Sequence, residues 1–152
     1  MSQIILNRNN KIEDYVTFNK LIDKSITTVT EDMLSGGTSI SDYSFSYCSS
    51  LVSVFIPSSI TNIGEAAFYY CSSLVSILIP SSITNIGYSA FSQCVLLSNV
   101  TVKSVTPPTL DGSIFFNTPL NLVIYVPSES VETYKSASGW STYANKIQPI
   151  PT

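Results

Sequence analysis

The residues best placed for covalent chemistry in this chain are three cysteines, Cys48, Cys71 and Cys94, set 23 residues apart. A thiolate serves as nucleophile, as metal ligand or as half of a disulfide, and each role needs a particular neighbour. Constant spacing puts the three at one equivalent position on successive turns of chain, close enough in Cα distance for a disulfide. An odd number cannot all pair within one chain, and parallel side chains on stacked turns do not present the disulfide dihedral. Buried free thiols are the first expectation, with a disulfide or a metal or nucleophilic role as the alternatives. Other reactive types are sparse. There is no His, so the commonest general base and the commonest nitrogen ligand for a metal are both missing. The carboxylates, Asp42, Glu65 and Asp111 among them, stand apart from any base or oxyanion motif, and no phosphate-binding glycine loop, G-x-S-x-G or C-x-x-C occurs. No enzyme, cofactor or metal is expected. Asn99-Val100-Thr101 matches a glycosylation acceptor, a short pattern equally well read as strand.

The elements that position these residues follow from repetition. Residues 49–64 read SSLVSVFIPSSITNIG and residues 72–87 read SSLVSILIPSSITNIG, identical at 14 of 16 positions. The same shift of 23 superposes Phe45, Phe68 and Phe91, Pro57 and Pro80, and Gly64 and Gly87. A period of this length marks a solenoid, in which no unit buries its own apolar face and stacking supplies the core. Degenerate copies flank the clear ones. Ser25 to Leu34 aligns with Ser59 to Phe68, Val100-Thr101-Val102 takes the place of Ile77-Leu78-Ile79, and Val123 to Pro127 restates the strand-then-proline signature. One domain over 1–152 is expected, with an N-terminal cap at 1–24, repeats at 25–127 and a C-terminal cap at 128–152.

The pattern Ala67-Phe68, Cys71, Leu74, Ile77, Ile79-Pro80, Ile83, Ile86-Gly87, Ala90-Phe91 resembles the BspA-like class of leucine-rich repeats. The tail through Tyr134-Lys135, Ser138-Gly139-Trp140 and Tyr143-Ala144 to Ile147 also resembles the closing segment of many members. The resemblance implies a leucine-rich-repeat solenoid of short parallel β-strands stacked one per repeat, used for adhesion or binding and usually found on bacterial surfaces. It further implies that Cys48, Cys71 and Cys94 are small buried ladder residues.

Period-2 alternation sends Val54 and Ile56 inward and Ser53 and Phe55 outward. Stacked copies then give inner ladders Val54/Ile77/Val100, Ile56/Ile79/Val102 and Phe45/Phe68/Phe91. Pro57 and Pro80 end strands because they lack a donor. Gly64 and Gly87 supply either a positive φ or room for close approach. Lys11 to Ile22 has the apolar spacing of a short amphipathic helix, and after Ser128, a candidate N-cap, Glu129 to Lys135 reads as about two helical turns. Between Tyr43 and Val102 the only charge is Glu65, so charge belongs to the caps.

Function is legible through the outward rows, Ser53/Ser76/Asn99 and Phe55/Leu78/Thr101. Phe55 and Leu78 put two large apolar groups side by side where related repeats commonly carry Thr or another polar residue, so these six residues are the candidate contact surface for a protein partner or a second copy of the chain. Tyr43, Tyr47, Tyr69, Tyr70 and Tyr88 gather at the repeat turns, where turn packing competes with protein or glycan contact, and a glycan ranks below a protein. The net charge of −3 and pI near 4.7 exclude a phosphate-neutralising or polybasic membrane face, and no apolar run is long enough to span a bilayer. The leading reading is a non-enzymatic interaction or adhesion module. The alternative is a structural component of an assembly, such as a phage tail, fibre or head decoration or a surface layer. Compartment stays open: the family points to a bacterial surface, whereas the start at Met1, without an export signal, points to cytoplasmic synthesis or a virion.

Overall fold

The computed structural model describes residues 24–152, so the expected amphipathic helix over Lys11 to Ile22 lies outside the described residues. The repeats wind into a stack in which the chain passes twice per turn through short parallel strands. One ladder joins β5 (Ser76–Ile79), β7 (Asn99–Val102), β9 (Val123–Val126) and β10 (Ile147–Pro149). Its registers, Ser76↔Asn99 through Ile79↔Val102, reproduce the 23-residue shift. From β7 to β9 the step is 24, Thr101 pairing with Tyr125.

A second ladder runs up another side through β2 (Ser39–Ile40), β4 (Asn62–Ile63), β6 (Asn85–Ile86) and β8 (Thr109–Leu110). The expectation was of one strand per repeat. The Thr-Asn-Ile-Gly segment forms a second because Ile40, Ile63 and Ile86 plug the core while their backbones stack rung on rung, Thr84 N–H donating to Thr61 C=O at 2.8 Å and Gly87 N–H to Ile63 C=O at 2.7 Å.

The first rung departs from the expected alignment. β1 (Thr28–Val29) pairs with β3 (Ser53–Val54) as Thr28↔Ser53 and Val29↔Val54, whereas aligning residues 25–34 with 59–68 puts Thr28 and Val29 opposite Asn62 and Ile63. Val29, fully buried, takes the core place of the face strand, and the return is made by a helical turn, α1 (Glu31–Leu34), whose Leu34 is buried. β1 and β3 also form a sheet of their own: β3 and β5 touch without joining in a hydrogen-bonded ladder. Val54 is accordingly half-buried, while Ile77 and Val100 above it are buried. The Val54/Ile77/Val100 column is thus interrupted at its lower end.

Phenylalanine continues the core along the axis. Phe45, Phe68 and Phe91 stack at 5.3 and 5.4 Å with planes within 7°. The column extends to Phe115 at 5.8 Å and ends edge-on against Tyr143. Each such aromatic contact adds roughly 0.5–1.5 kcal/mol beyond area burial.

At the C-terminal end, Ser128 does not cap a helix. Pro127 fixes φ at −53°, Ser128–Ser130 forms a 3-10 turn, and the Ser128 hydroxyl donates to the Glu129 carboxylate at 3.3 Å. The helix that follows, α2 (Val131–Ser136), is six residues, in keeping with the about two turns expected but starting two residues later than Glu129. A second 3-10 segment, Trp140–Lys146, folds back over the stack and leads into β10.

Candidate functional site

Of the six outward residues, Ser53, Ser76, Phe55 and Leu78 are exposed, the last two at 53% and 48%, and Asn99 and Thr101 are half-buried. Strand alternation puts them there: Ile77 and Ile79 face the core on either side of Leu78. The ladder registers bring Ser76 beside Asn99 and Leu78 beside Thr101. Phe55 lies just past β3, across the seam where no ladder joins β3 to β5. Val52 and Val75, one residue before these strands, are also about half exposed and enlarge the apolar area. Tyr125 continues the Thr101 row, and Gln148 continues it onto β10. A strict 23-residue count misses Tyr125 because the step there is 24.

The three cysteines sit in the core as free thiols, each 0% exposed. Cys71 Sγ donates to the Phe45 carbonyl and Cys94 Sγ to the Phe68 carbonyl, both at 3.2 Å. Burial pushes the Cys94 thiol up to about 12. Cys71 is pushed up by burial and then by the neighbouring sulfurs of Cys94 and Cys48. A group held protonated and covered is neither nucleophile nor ligand. Among the described residues no three His, Cys, Asp or Glu side chains are grouped to hold a metal ion. We expect no thiol to react with an aromatic disulfide reagent on the minutes scale in the folded protein, and three to react in denaturant. Rapid reaction of two or more in the folded state would refute the buried ladder.

The structure also gathers what the sequence leaves scattered. Asp42, Glu65 and Asp111 line one groove of about 300 Å³ along the β2–β4–β6–β8 ladder, with Asn62, Asn85 and Tyr88. Each carboxylate commits an oxygen to the scaffold: Asp42 Oδ1 accepts from Glu65 N–H at 2.8 Å, Glu65 Oε1 from Tyr43 O–H at 2.6 Å, and Asp111 Oδ2 from Asn85 Nδ2 at 3.1 Å. Asn85 also donates to Asn62 Oδ1 at 2.9 Å. The signal in the sequence is the 23-residue interval from Asp42 to Glu65, which two further intervals extend to Asp111, although the 24-residue step into β8 seats Asp111 opposite Gly87 rather than Tyr88. The lining contains no basic side chain.

The turn tyrosines separate into two groups. Tyr43 and Tyr88 flank the groove region, Tyr43 through its bond to Glu65 and Tyr88 in the lining. Tyr47, Tyr69 and Tyr70 make a cluster on another turn, Tyr47 stacking on Tyr70 and meeting Tyr69 edge-on. No helix among the described residues is long and apolar enough to cross a membrane.

Comparison with known proteins agrees with this architecture. The family model of the BspA type leucine rich repeat region matches residues 10–138 in six copies. A leucine-rich repeat protein from Bacteroides ovatus ATCC 8483 is 28% identical over 76% of this chain, with a TM-score of 0.54. A leucine rich cell surface protein from Faecalibacterium prausnitzii A2-165 is 27% identical over 70% of the chain, with a TM-score of 0.47. This chain spans 29% and 37% of the length of those two structures. No curated protein matches.

Proposed function

The chain belongs to the BspA type leucine-rich repeat family, and from that premise we propose that it is a non-enzymatic protein-interaction module of the adhesive kind. Its recognition surface is the open sheet face around Ser53, Phe55, Ser76, Leu78, Asn99 and Thr101. The observation that carries this reading is the exposure of Phe55, just past β3, and of Leu78, on β5, beside the outward Ser53, Ser76, Asn99 and Thr101. Packing within the chain covers only about half of each of these two side chains. An apolar centre within a polar hydroxyl rim is the composition of a contact patch, in which the apolar groups supply affinity and the rim supplies register. The scarcity of charge on the middle rungs assigns recognition to shape and apolar area rather than to electrostatic steering.

The test is the double substitution Phe55→Ser and Leu78→Ser. Both positions are about half exposed, so folding stability should change by no more than about 0.5 kcal/mol. Partner proteins captured by the wild-type chain, identified by mass spectrometry, should be retained at least about tenfold less by the variant, the equivalent of losing roughly 1.4 kcal/mol of binding. Equal retention would remove the sheet face as the site. Light scattering separates the alternative of an assembly component. A stable multiple of 16.5 kDa that the double substitution dissolves makes the partner a second copy, and a monomer leaves a foreign protein.

A further inference from the structure

The geometry points to a second contact surface, for a neutral saccharide, at the exposed tyrosines Tyr47 and Tyr70 and the half-buried Tyr69 beside them. Backbone conformation is the first observation. Tyr47 and Tyr70 hold φ of 63° and 61°, in the left-handed region where a bulky side chain is crowded and Gly or Asn sits more easily. The next two rungs fill the same place with Gln93 and Asn117, at 64° and 55°, so the turn itself does not require tyrosine. The core does not require it either: Tyr47 and Tyr70 are 56% and 44% exposed, whereas Phe45 and Phe68, two residues before each, are fully buried. A residue that strains its backbone and leaves half its ring in water is explained by what that ring meets outside the chain.

The three rings make one surface. Tyr47 lies 5.4 Å from Tyr70 and 5.5 Å from Tyr69, with Tyr69 and Tyr70 at 6.1 Å. Among the described residues their phenol hydroxyls make no hydrogen bond to the protein, in contrast to Tyr43, whose hydroxyl is given to Glu65. Lys24, the cation that reaches this turn, donates its ammonium to the Ser46 carbonyl at 2.6 Å. In sequence, serines follow the rings, Ser49 and Ser50 after Tyr47 and Ser72 and Ser73 after Tyr70, and Ser73 gives its hydroxyl to the Ser49 carbonyl. A complementary ligand must offer C–H faces to rings and hydroxyls to phenols and serines, and needs no charge. A pyranose does all three. An aliphatic segment would bury phenol hydroxyls without partners, and the rings themselves offer no charge to a charged peptide. Two successive rungs carry the rings, so a saccharide lying along the solenoid meets Tyr47 and then Tyr70.

The experiment titrates the chain with cellohexaose, β-1,4-mannohexaose and maltohexaose, read by saturation-transfer NMR and calorimetry. The variant is Tyr47→Asn with Tyr70→Asn, chosen because Asn tolerates the left-handed conformation. At least one hexasaccharide should bind the wild type, and its affinity should fall at least tenfold in this variant, with a melting temperature equal to or above the wild type's. The Phe55→Ser, Leu78→Ser variant should bind sugar normally, so failure of the sheet-face reading leaves this one standing. If the Asn variant melts lower, Tyr47→Phe with Tyr70→Phe keeps the rings, and undiminished sugar binding there overturns the hydroxyl contacts. No binding of any of the three sugars at about 5 mM, or unchanged affinity in the Asn variant, refutes the proposal.

Discussion

Replacing Trp140 with Ala should destabilise the protein by about 4 kcal/mol, at the upper end of the range for large-to-small core substitutions. For a chain of this length that lowers the melting temperature by roughly 8–16 °C, measured by calorimetry. Trp140 is fully buried and its indole N–H donates to the Pro108 carbonyl at 2.7 Å. It also meets Tyr134 edge-on at 5.0 Å, and the Tyr134 hydroxyl donates to the Ser104 carbonyl at 2.7 Å. Two aromatics of the C-terminal cap thereby fasten two carbonyls of the last repeat turn. A solenoid has no second layer to cover its ends, so the cap contributes to stability out of proportion to its length. The conservative Trp140→Phe variant keeps most of the packing but leaves the Pro108 carbonyl unpaired, and should lose roughly 1–3 kcal/mol. A loss under about 1 kcal/mol for Trp140→Ala would show that the cap does not close the stack.

The cap illustrates how much of this molecule is legible in its sequence. Where two copies are nearly identical, alternation and a fixed period place the side chains: Ile77, Ile79, Leu74 and Phe68 face inward and Leu78 faces outward because a strand and a period of 23 permit little else. Where the copies degenerate, the period no longer fixes register. Thr28 and Val29 align by residue type with the Asn62-Ile63 rung, yet they pair with Ser53 and Val54, since Leu34 and Ile40 downstream already fill the core positions of the return. A one-residue insertion before β9 likewise hides Tyr125 from a strict count while leaving its pairing with Thr101 intact. The acceptor groove is hard to see in the sequence for a different reason. Asp42, Glu65 and Asp111 are unremarkable singly, and only the two-residue strands of the side ladder, too short to show any periodicity, bring them along one groove. The β3–β5 seam has no sequence signal either, because residues 51–56 and 74–79 differ only by Val54/Ile77 and Phe55/Leu78.

The side ladder also supports the second large prediction, the paired substitution Gly64→Ala with Gly87→Ala. A Cβ at Gly64 would lie 2.5 Å from the Asp42 amide nitrogen, and one at Gly87 2.5 Å from the Glu65 amide nitrogen and 2.6 Å from the Gly64 carbonyl carbon. These are backbone atoms of the rung below, so no flexible side chain can swing away. Neither glycine has a positive φ, which decides the question the sequence left open: close approach, not left-handed geometry, requires Gly here. Ala therefore has no backbone penalty at either site and should gain about 0.4–1 kcal/mol by restricting the unfolded chain. Overpacking acts against this gain, at about 1–3 kcal/mol or more per site. We expect each single variant to lose about 2–3 kcal/mol and the double variant about 4–5 kcal/mol, less than the sum because Gly87 packs on the rung that Gly64 would already have displaced. Gly37→Ala is the internal control, since its nearest neighbour is the Leu34 carbonyl oxygen at 3.3 Å, and its effect should stay within about 1 kcal/mol. Urea unfolding of the four variants reads all of these values. Should Gly64→Ala or Gly87→Ala match the control, the rungs separate at little cost and the stack is held by its inner columns alone. The expected ordering instead makes the rung spacing on this side a fixed length, set by backbone resting on backbone, and the acceptor groove above it a rigid feature of the solenoid.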